Sequence, residues 1–370
     1  MSESESTRMT DFSLVLNGAY IELTNRCNFL CPYCYNDSSA AKKQYLPLET
    51  VKRIISEIAE SNFLGVVFSG GEPFLHPDIN SIIDYSIEHN VKPTIITNAS
   101  LITLKQAKTL LRRDITLQLT FDGASSQSHD FIRGSGNFEH LMNILTLANA
   151  ICSAPKINVR FNVRKSNVKE ISSFLEMISE TRVGSITFAF LHKSGRGKIY
   201  NDIFDYGNDY LFLERTLIEL GRIKSNSEKV ISYGELDTAL GCAYYASGII
   251  KVTPRIDSNG EVFPCQLFSG KRFSFGNVLS TSYNCLTEML RSEQTYSVVK
   301  EIRRRKEMLN DKCSKCAFDQ VCMGGCPATA YNLYNDLQIN DGVCLFNKYI
   351  LKERLKSINV NSEYVKTELS

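Results

Sequence analysis

From Tyr20 to Leu191, short apolar runs alternate with amphipathic stretches, and this alternation constrains the fold of the 370-residue chain more than any other feature. Residues 19–24, 64–70, 92–98, 115–123, 156–163 and 185–191 read as strands. Between them, helical patterns fall near residues 47–61, 78–90, 103–112, 137–151 and 168–180, with start signals such as Pro47 before Glu49. Repeated strand–helix alternation builds parallel βα units, as an open doubly wound sheet or as a full or partial barrel. In each case ligands bind at the C-terminal ends of the strands. Thr24, Ser69, Thr97, Asp122 and Leu191 fall at such ends, so the segments that follow them should converge on one face.

The remainder of the chain differs in character. Residues 1–15 read as a polar tail, 16–200 as the βα core and 201–240 as a bridge with a helix near 210–224. A cysteine-rich unit of short segments spans 241–345, with a hairpin tip at Asp257-Ser258-Asn259-Gly260, and 346–370 reads as a helix and tail. With 42 basic and 40 acidic residues, the balance argues against nucleic acid or an anionic membrane as the main partner. No apolar run approaches the roughly 18 residues of a membrane span, and the polar start lacks a signal-peptide core. A cytoplasmic protein is expected.

Twelve cysteines accompany only five histidines, and their distribution is uneven. Eight fall within residues 27–34 and 313–344, where an even spread would put about one. A disulfide framework suits small secreted chains, whereas clustered cysteines in a cytosolic chain are more often metal ligands. Cys27, Cys31 and Cys34 lie on one loop directly after the first core strand. Three thiolates can hold three irons of a cubane cluster and leave the fourth iron open. A structural zinc site would want a fourth ligand close by, and the nearest histidine is His76.

This loop, followed after the second core strand by Gly70-Gly71-Glu72-Pro73, resembles the radical S-adenosylmethionine (SAM) enzymes. The resemblance implies a partial (β/α)6 TIM-like barrel and a [4Fe-4S] cluster on Cys27, Cys31 and Cys34 whose open iron binds SAM. It further implies that Tyr33 lies near the adenine and that Gly70, Gly71 and Glu72 meet the methionyl amine. Asn98 and Leu191 are expected in the same SAM site. Asp122-Gly123, His129-Asp130 and Arg133-Gly134 resemble a stretch of peptide-modifying members, which brings Asp122 into the site and places Thr120 and Arg133 near the SAM ribose and carboxylate. His129 could equally be a contact at a helix start. Gly195-Arg196-Gly197-Lys198 lacks the spacing of a phosphate loop.

Cys313-x2-Cys316-x5-Cys322-x3-Cys326, with Cys344, Cys265 and Cys242, resembles the SPASM domain, a small cysteine-rich α+β unit with two auxiliary [4Fe-4S] clusters. By that resemblance Cys313, Cys316, Cys322 and Cys344 hold one cluster, and Cys242, Cys265 and Cys326 the other. Cys285 or a substrate group could complete the latter, and Cys152 reads as packing. The function implied is modification of a ribosomally made precursor peptide, to a thioether or carbon–carbon crosslink, by an oxidoreductase fed by a flavodoxin or ferredoxin. No catalytic residue beyond the SAM cluster is assigned. Only 26 residues precede Cys27, so a separate leader-binding protein is among the expected partners. Two alternatives remain: a formylglycine-forming sulfatase maturase, disfavoured by Gln266 where an acid would serve, and a non-catalytic Fe–S or zinc protein. The run Arg303-Arg304-Arg305-Lys306 reads as a solvated helix face.

Overall fold

The computed structural model describes residues 12–352, except 62–64, 192, 205–208, 210–215, 217–229, 233–241, 281–282, 310, 341, 343, 345–346 and 349–350. The bridge helix near 210–224 and the terminal helix and tail therefore lie largely outside the described residues.

All six expected core strands form. They are β2 (Ala19–Thr24), β3 (Gly65–Gly70), β4 (Lys92–Thr97), β5 (Thr116–Phe121), β6 (Ile157–Val163) and β7 (Val183–Phe190). They follow β1 (Phe12–Leu16) and precede β8 (Val230–Ser232), β9 (Gly248–Val252), β10 (Arg255–Ile256), β11 (Glu261–Phe263) and β12 (Gly276–Asn277). Ten strands make one open sheet in the order β12-β11-β10-β2-β3-β4-β5-β6-β7-β8, and every pairing from β10 through β2 to β8 is parallel. The sheet is thus a partial barrel. The five expected helices appear as α1 (Leu48–Glu60), α2 (Ile79–Glu88), α3 (Leu104–Leu111), α5 (Asn137–Ile151) and α6 (Ile171–Ser179). A capping box between Thr103 and Gln106 starts α3.

Strand alternation sorts the residues between two faces. In β6, Ile157, Val159, Phe161 and Val163 join the apolar core, and the Phe161 and Phe174 rings meet at 4.7 Å. Arg160 and Asn162, on the opposite face, line a cavity inside the curved sheet.

Two elements escaped the sequence reading. Helix α4 (Ser126–Arg133) carries only one buried side chain, His129, so its sequence shows almost no apolar period. Residues 12–16, read within or next to a polar tail, form β1, which pairs in parallel with β9. Five residues give too short a period to recognise, and the pairing partner lies far along the chain.

The Asp257–Gly260 turn does form a hairpin tip, with β10 and β11 antiparallel around it and Gly260 at φ +84°. Through β10 this hairpin extends the core sheet alongside β2. A buried ion pair fastens the seam: Arg255 donates to Glu22 Oε1 at 3.1 Å and to the Phe268 carbonyl at 2.8 Å. Tyr35 also donates to Glu22, at 3.0 Å. Burial pushes the Glu22 carboxyl up, and Arg255 offsets only part of that. Removing one member of a buried pair leaves an uncompensated charge. Arg255→Ala should therefore lower stability by about 3–5 kcal/mol, measured by urea unfolding, and Glu22→Gln added to Arg255→Met should recover much of the loss.

Candidate active site

The loop after β2 is held open at the C-terminal edge of the sheet by backbone contacts from three sides. Cys27 N donates to Ser39 O at 3.1 Å, and Gly71 N and Glu72 N donate to the Thr24 and Arg26 carbonyls at 2.7 and 2.9 Å. A Cβ at Gly70 or Gly71 would run into those same carbonyl oxygens, so only glycine permits this approach. From the far end of the sheet, Arg196 N donates to Cys34 O at 3.0 Å and Arg196 Nε to Cys31 O at 3.0 Å. The Gly195-Arg196-Gly197 segment is thus a clamp on the cysteine loop. A glycine-flanked arginine just after the last core strand was the available signal for it.

A second framework centres on Asp122, which is fully buried. Its carboxylate accepts from the Tyr33 hydroxyl, from Arg133 Nε at 2.5 Å and from Asn162 Nδ2 at 3.2 Å. Burial pushes this carboxyl up, but the Arg133 charge and the hydrogen bonds from Tyr33 and Arg133 outweigh it and hold it below its ordinary range. Asp122 N donates to His129 Nδ1 at 3.0 Å, while His129 Nε2 meets Asn137 Oδ1 at 2.8 Å. Both ring nitrogens are therefore engaged in the scaffold, and His129 serves as a buried helix contact.

Cys27, Cys31, Cys34, Tyr33, Gly70, Gly71, Asn98, Thr120, Arg133 and Leu191 all line one cavity of about 310 Å³. Glu72 and Asp122 stand behind its wall instead. Glu72, expected to meet the SAM amine, is 1% exposed and is tied to the chain through three hydrogen bonds. Oε1 accepts from Thr97 and from Phe74 N, and Oε2 from Asn98 N at 2.9 Å. It joins the ends of β3 and β4, which fixes the glycine turn that does reach the cavity. Asp122 likewise acts through Tyr33, Arg133 and Asn162. The sequence reading missed the polar inner wall, formed by Tyr20, Ser69, Thr94, Gln118, Arg160 and Thr187, because inward positions on isolated strands carry no motif. Gln266 and Leu267 close the cavity from the cysteine-rich unit.

The thiols suit a cluster. Three cysteines and no histidine line the cavity mouth, a soft donor set. Burial pushes the Cys27 thiol up to about 11 and raises Cys31, so metal loading must displace protons. Among the described residues no three Cys, His, Asp or Glu side chains converge on a single-ion site. A cubane cluster places its ligands on separate irons and does not need such convergence.

In the cysteine-rich unit, Cys313, Cys316, Cys322 and Cys344 line one small cavity of about 30 Å³. Cys242, Cys265 and Cys326 all pack, partly buried, against the same apolar core, and burial, followed by the charges of Cys326 and Cys265, raises the Cys242 thiol. Cys285 Sγ accepts from Glu288 N at 3.3 Å, at the start of α7 (Leu286–Leu290), which is a helix-capping role. Cys152 is buried in the apolar core, with its sulfur 4.0 Å from Leu111 O, as packing requires.

Comparison with known proteins agrees with this geometry. Residues 21–191 match the model of the Radical SAM superfamily, and residues 251–317 match SPASM, an iron–sulfur cluster-binding domain. The chain is 28% identical over 315 residues to the mycofactocin maturase MftC of Mycobacterium tuberculosis, covering 84% of this chain and 78% of that protein. It is 24% identical over 365 residues to the Fe-coproporphyrin III synthase of Methanosarcina barkeri, covering 90% and 88%. Streptococcus suis SuiB bound to S-adenosylmethionine superposes with a TM-score of 0.69 at 19% identity, covering 89% of this chain and 77% of that one. The anSMEcpe structure with bound AdoMet and a peptide superposes at 0.70 and 17% identity, covering 94% and 98%. A partial barrel with a three-cysteine loop at its mouth, joined by a parallel strand to a second cysteine-rich unit, places this chain in the radical SAM superfamily, among the members that carry a SPASM domain.

Proposed function

We propose that this radical SAM/SPASM enzyme modifies a ribosomally synthesised peptide, forming a thioether or carbon–carbon crosslink. The observation that carries the reading is the shared cavity, lined both by the three-cysteine loop and by Gln266 and Leu267 of the SPASM unit. MftC is named a maturase, and SuiB has been solved with its precursor peptide SuiA, which supports a peptide as the substrate class. In this reading 16–200 is the radical SAM core, 201–240 the bridge and 241–345 the SPASM domain. Cys27, Cys31 and Cys34 would hold the cluster that binds SAM. Cys313, Cys316, Cys322 and Cys344 would hold one auxiliary cluster, and Cys242, Cys265 and Cys326 the other.

When bound, these groups supply a 5′-deoxyadenosyl radical that removes hydrogen from an unactivated carbon. The chain's own residues prepare that event. Gly70 and Gly71 allow the backbone to approach SAM, while Asn98, Thr120 and Leu191 complete the wall around it. Arg133 offers a cation to the SAM carboxylate. Tyr33, fixed by Asp122 and Asn162 Nδ2 at 3.2 Å, offers a ring face. Arg196 keeps the cysteine loop against the barrel. Formylglycine formation is the weaker reading, because Gln266 occupies the cavity wall where an acid is wanted and an amide cannot take the proton. The chemistry needs an external one-electron donor such as a flavodoxin or ferredoxin, in the cytoplasm, and a separate leader-binding protein would present the precursor peptide.

Three outcomes test this reading. Co-expression with peptides encoded beside the gene should yield, by mass spectrometry, a peptide lighter by about 2 Da, the loss of two hydrogens in one crosslink. A formylglycine mass, or formation of Fe-coproporphyrin III in place of any modified peptide, would contradict it. Asp122→Asn removes a charged acceptor that positions Tyr33 and Arg133. It should weaken SAM binding, read by calorimetry, by about ten- to a hundredfold, as expected for a charge-assisted hydrogen bond worth about 1.5–3 kcal/mol. Cys322→Ala should keep 5′-deoxyadenosine formation and lose the modified peptide. Unchanged product would remove the SPASM unit from the reaction.

A further inference from the structure

The basic run at 303–306, expected to face solvent, contains the side chain around which the cysteine-rich domain is folded. Helix α8 (Glu293–Met308) buries Arg305 to 1% exposure. Of its neighbours, Arg303 donates to the Tyr244 carbonyl at 2.9 Å and lies over the Phe12 ring, while Arg304 is exposed. The solvated-face expectation holds for Arg304 and fails for Arg305, because a charge run does not show which helical face meets the core.

Arg305 uses its whole donor fork. Nε donates to Leu337 O at 2.5 Å. One terminal nitrogen donates to Met323 O at 2.9 Å, Gly325 O at 3.1 Å and the Tyr245 hydroxyl at 3.1 Å. The other donates to Gly324 O at 2.7 Å and Ile339 O at 2.9 Å. Each of these acceptors is a carbonyl or a hydroxyl, and among the described residues no carboxylate forms an ion pair with Arg305. A buried cation held only by neutral dipoles is expensive unless an anion lies near.

Three of the acceptors are consecutive. Met323, Gly324 and Gly325 all have positive φ, at 49°, 75° and 77°. Such a turn is strained at Met323 by about 1–2 kcal/mol, and the guanidinium contacts to its three carbonyls can offset that. The turn joins Cys322, which faces Cys313, Cys316 and Cys344, to Cys326, which lies with Cys242 and Cys265. Tyr245 follows Cys242 by one short turn, and Leu337 and Ile339 lead towards Cys344. One guanidinium therefore touches the backbone or side chains flanking both thiol sets.

We propose that Arg305 is the positioning residue shared by the two auxiliary-cluster sites: its fork fixes the turn that sends Cys322 to one set and Cys326 to the other, and its charge balances the anionic thiolate clusters on either side. The proposal rests on the cluster reading given above. It makes the two auxiliary sites a single assembly unit, separate from the barrel's three-cysteine loop.

The test uses the full-length chain, reconstituted anaerobically with iron and sulfide, as wild type, Arg305→Gln and Arg305→Lys. Iron per chain, a redox titration followed by electron paramagnetic resonance, and 5′-deoxyadenosine formation are read together. Wild type should carry about twelve irons, as three cubane clusters require. Arg305→Gln should retain about four, cleave SAM as before and lose both auxiliary signals together. Any auxiliary cluster that does load there should reduce at a lower midpoint, because the nearby positive charge is gone. Arg305→Lys keeps the charge without the fork, so it should load less iron than wild type at an unshifted midpoint. This arm decides the matter if Arg305→Gln does not fold. Full loading with an unchanged midpoint in Arg305→Gln, or full loading in Arg305→Lys, overturns the proposal. Wild type stopping at about four irons overturns the cluster reading beneath it.

Discussion

The Asp122 carboxylate is the point on which the site depends. It sits at the end of β5, fully buried, and gathers Tyr33 from the cysteine loop, Arg133 from α4 and Asn162 from β6. A carboxylate at that depth is tolerable only with such partners. The same bonds hold the cysteine loop to the strand ends, so the cost of burying Asp122 is offset by order at the cavity. Glu72 does the equivalent work on the other side, joining β3 to β4 through Thr97 and Asn98. Both acids act one layer behind the wall, and the cavity receives the glycine backbone, the phenol and the guanidinium that they position.

The second domain is continuous with the first at the level of hydrogen bonding. β10 adds to the core sheet next to β2, and Arg255 pairs with Glu22 across that seam. Because β2 leads directly into the cysteine loop, and the β10–β11 hairpin leads directly into Cys265 and Gln266, one strand pairing fixes both cysteine-bearing segments relative to each other. The sheet thereby sets the spacing between the barrel cavity and the SPASM thiols. Arg305 extends the same logic inward, with one side chain spanning the two thiol sets.

Much of this was legible in the sequence because its signals are local. Six strands and five helices declared themselves by period, and the cysteine spacing marked both metal-binding regions. Gly70-Gly71 was visible because only glycine accepts a neighbouring carbonyl so close. What escaped was non-local. Glu72 looks like a ligand in its motif, and only the fold shows that it also ties Thr97 and Asn98 together. Arg305 looks like one charge among four, and its acceptors lie 18 to 60 residues away in sequence. Arg160 and Gln118 reach the cavity only because strand alternation and sheet curvature turn them inward. β1 has too few residues to show a period, and α4 too few apolar ones.

The central claim is that the loop at the barrel mouth binds a SAM-cleaving cluster. Anaerobic reconstitution followed by dithionite and SAM tests it most directly, with 5′-deoxyadenosine quantified for wild type and Cys31→Ala. The account predicts 5′-deoxyadenosine from wild type and none from Cys31→Ala, with the variant retaining its auxiliary iron. Intact SAM with the wild-type chain, or a chain that takes up zinc in place of iron, would contradict it.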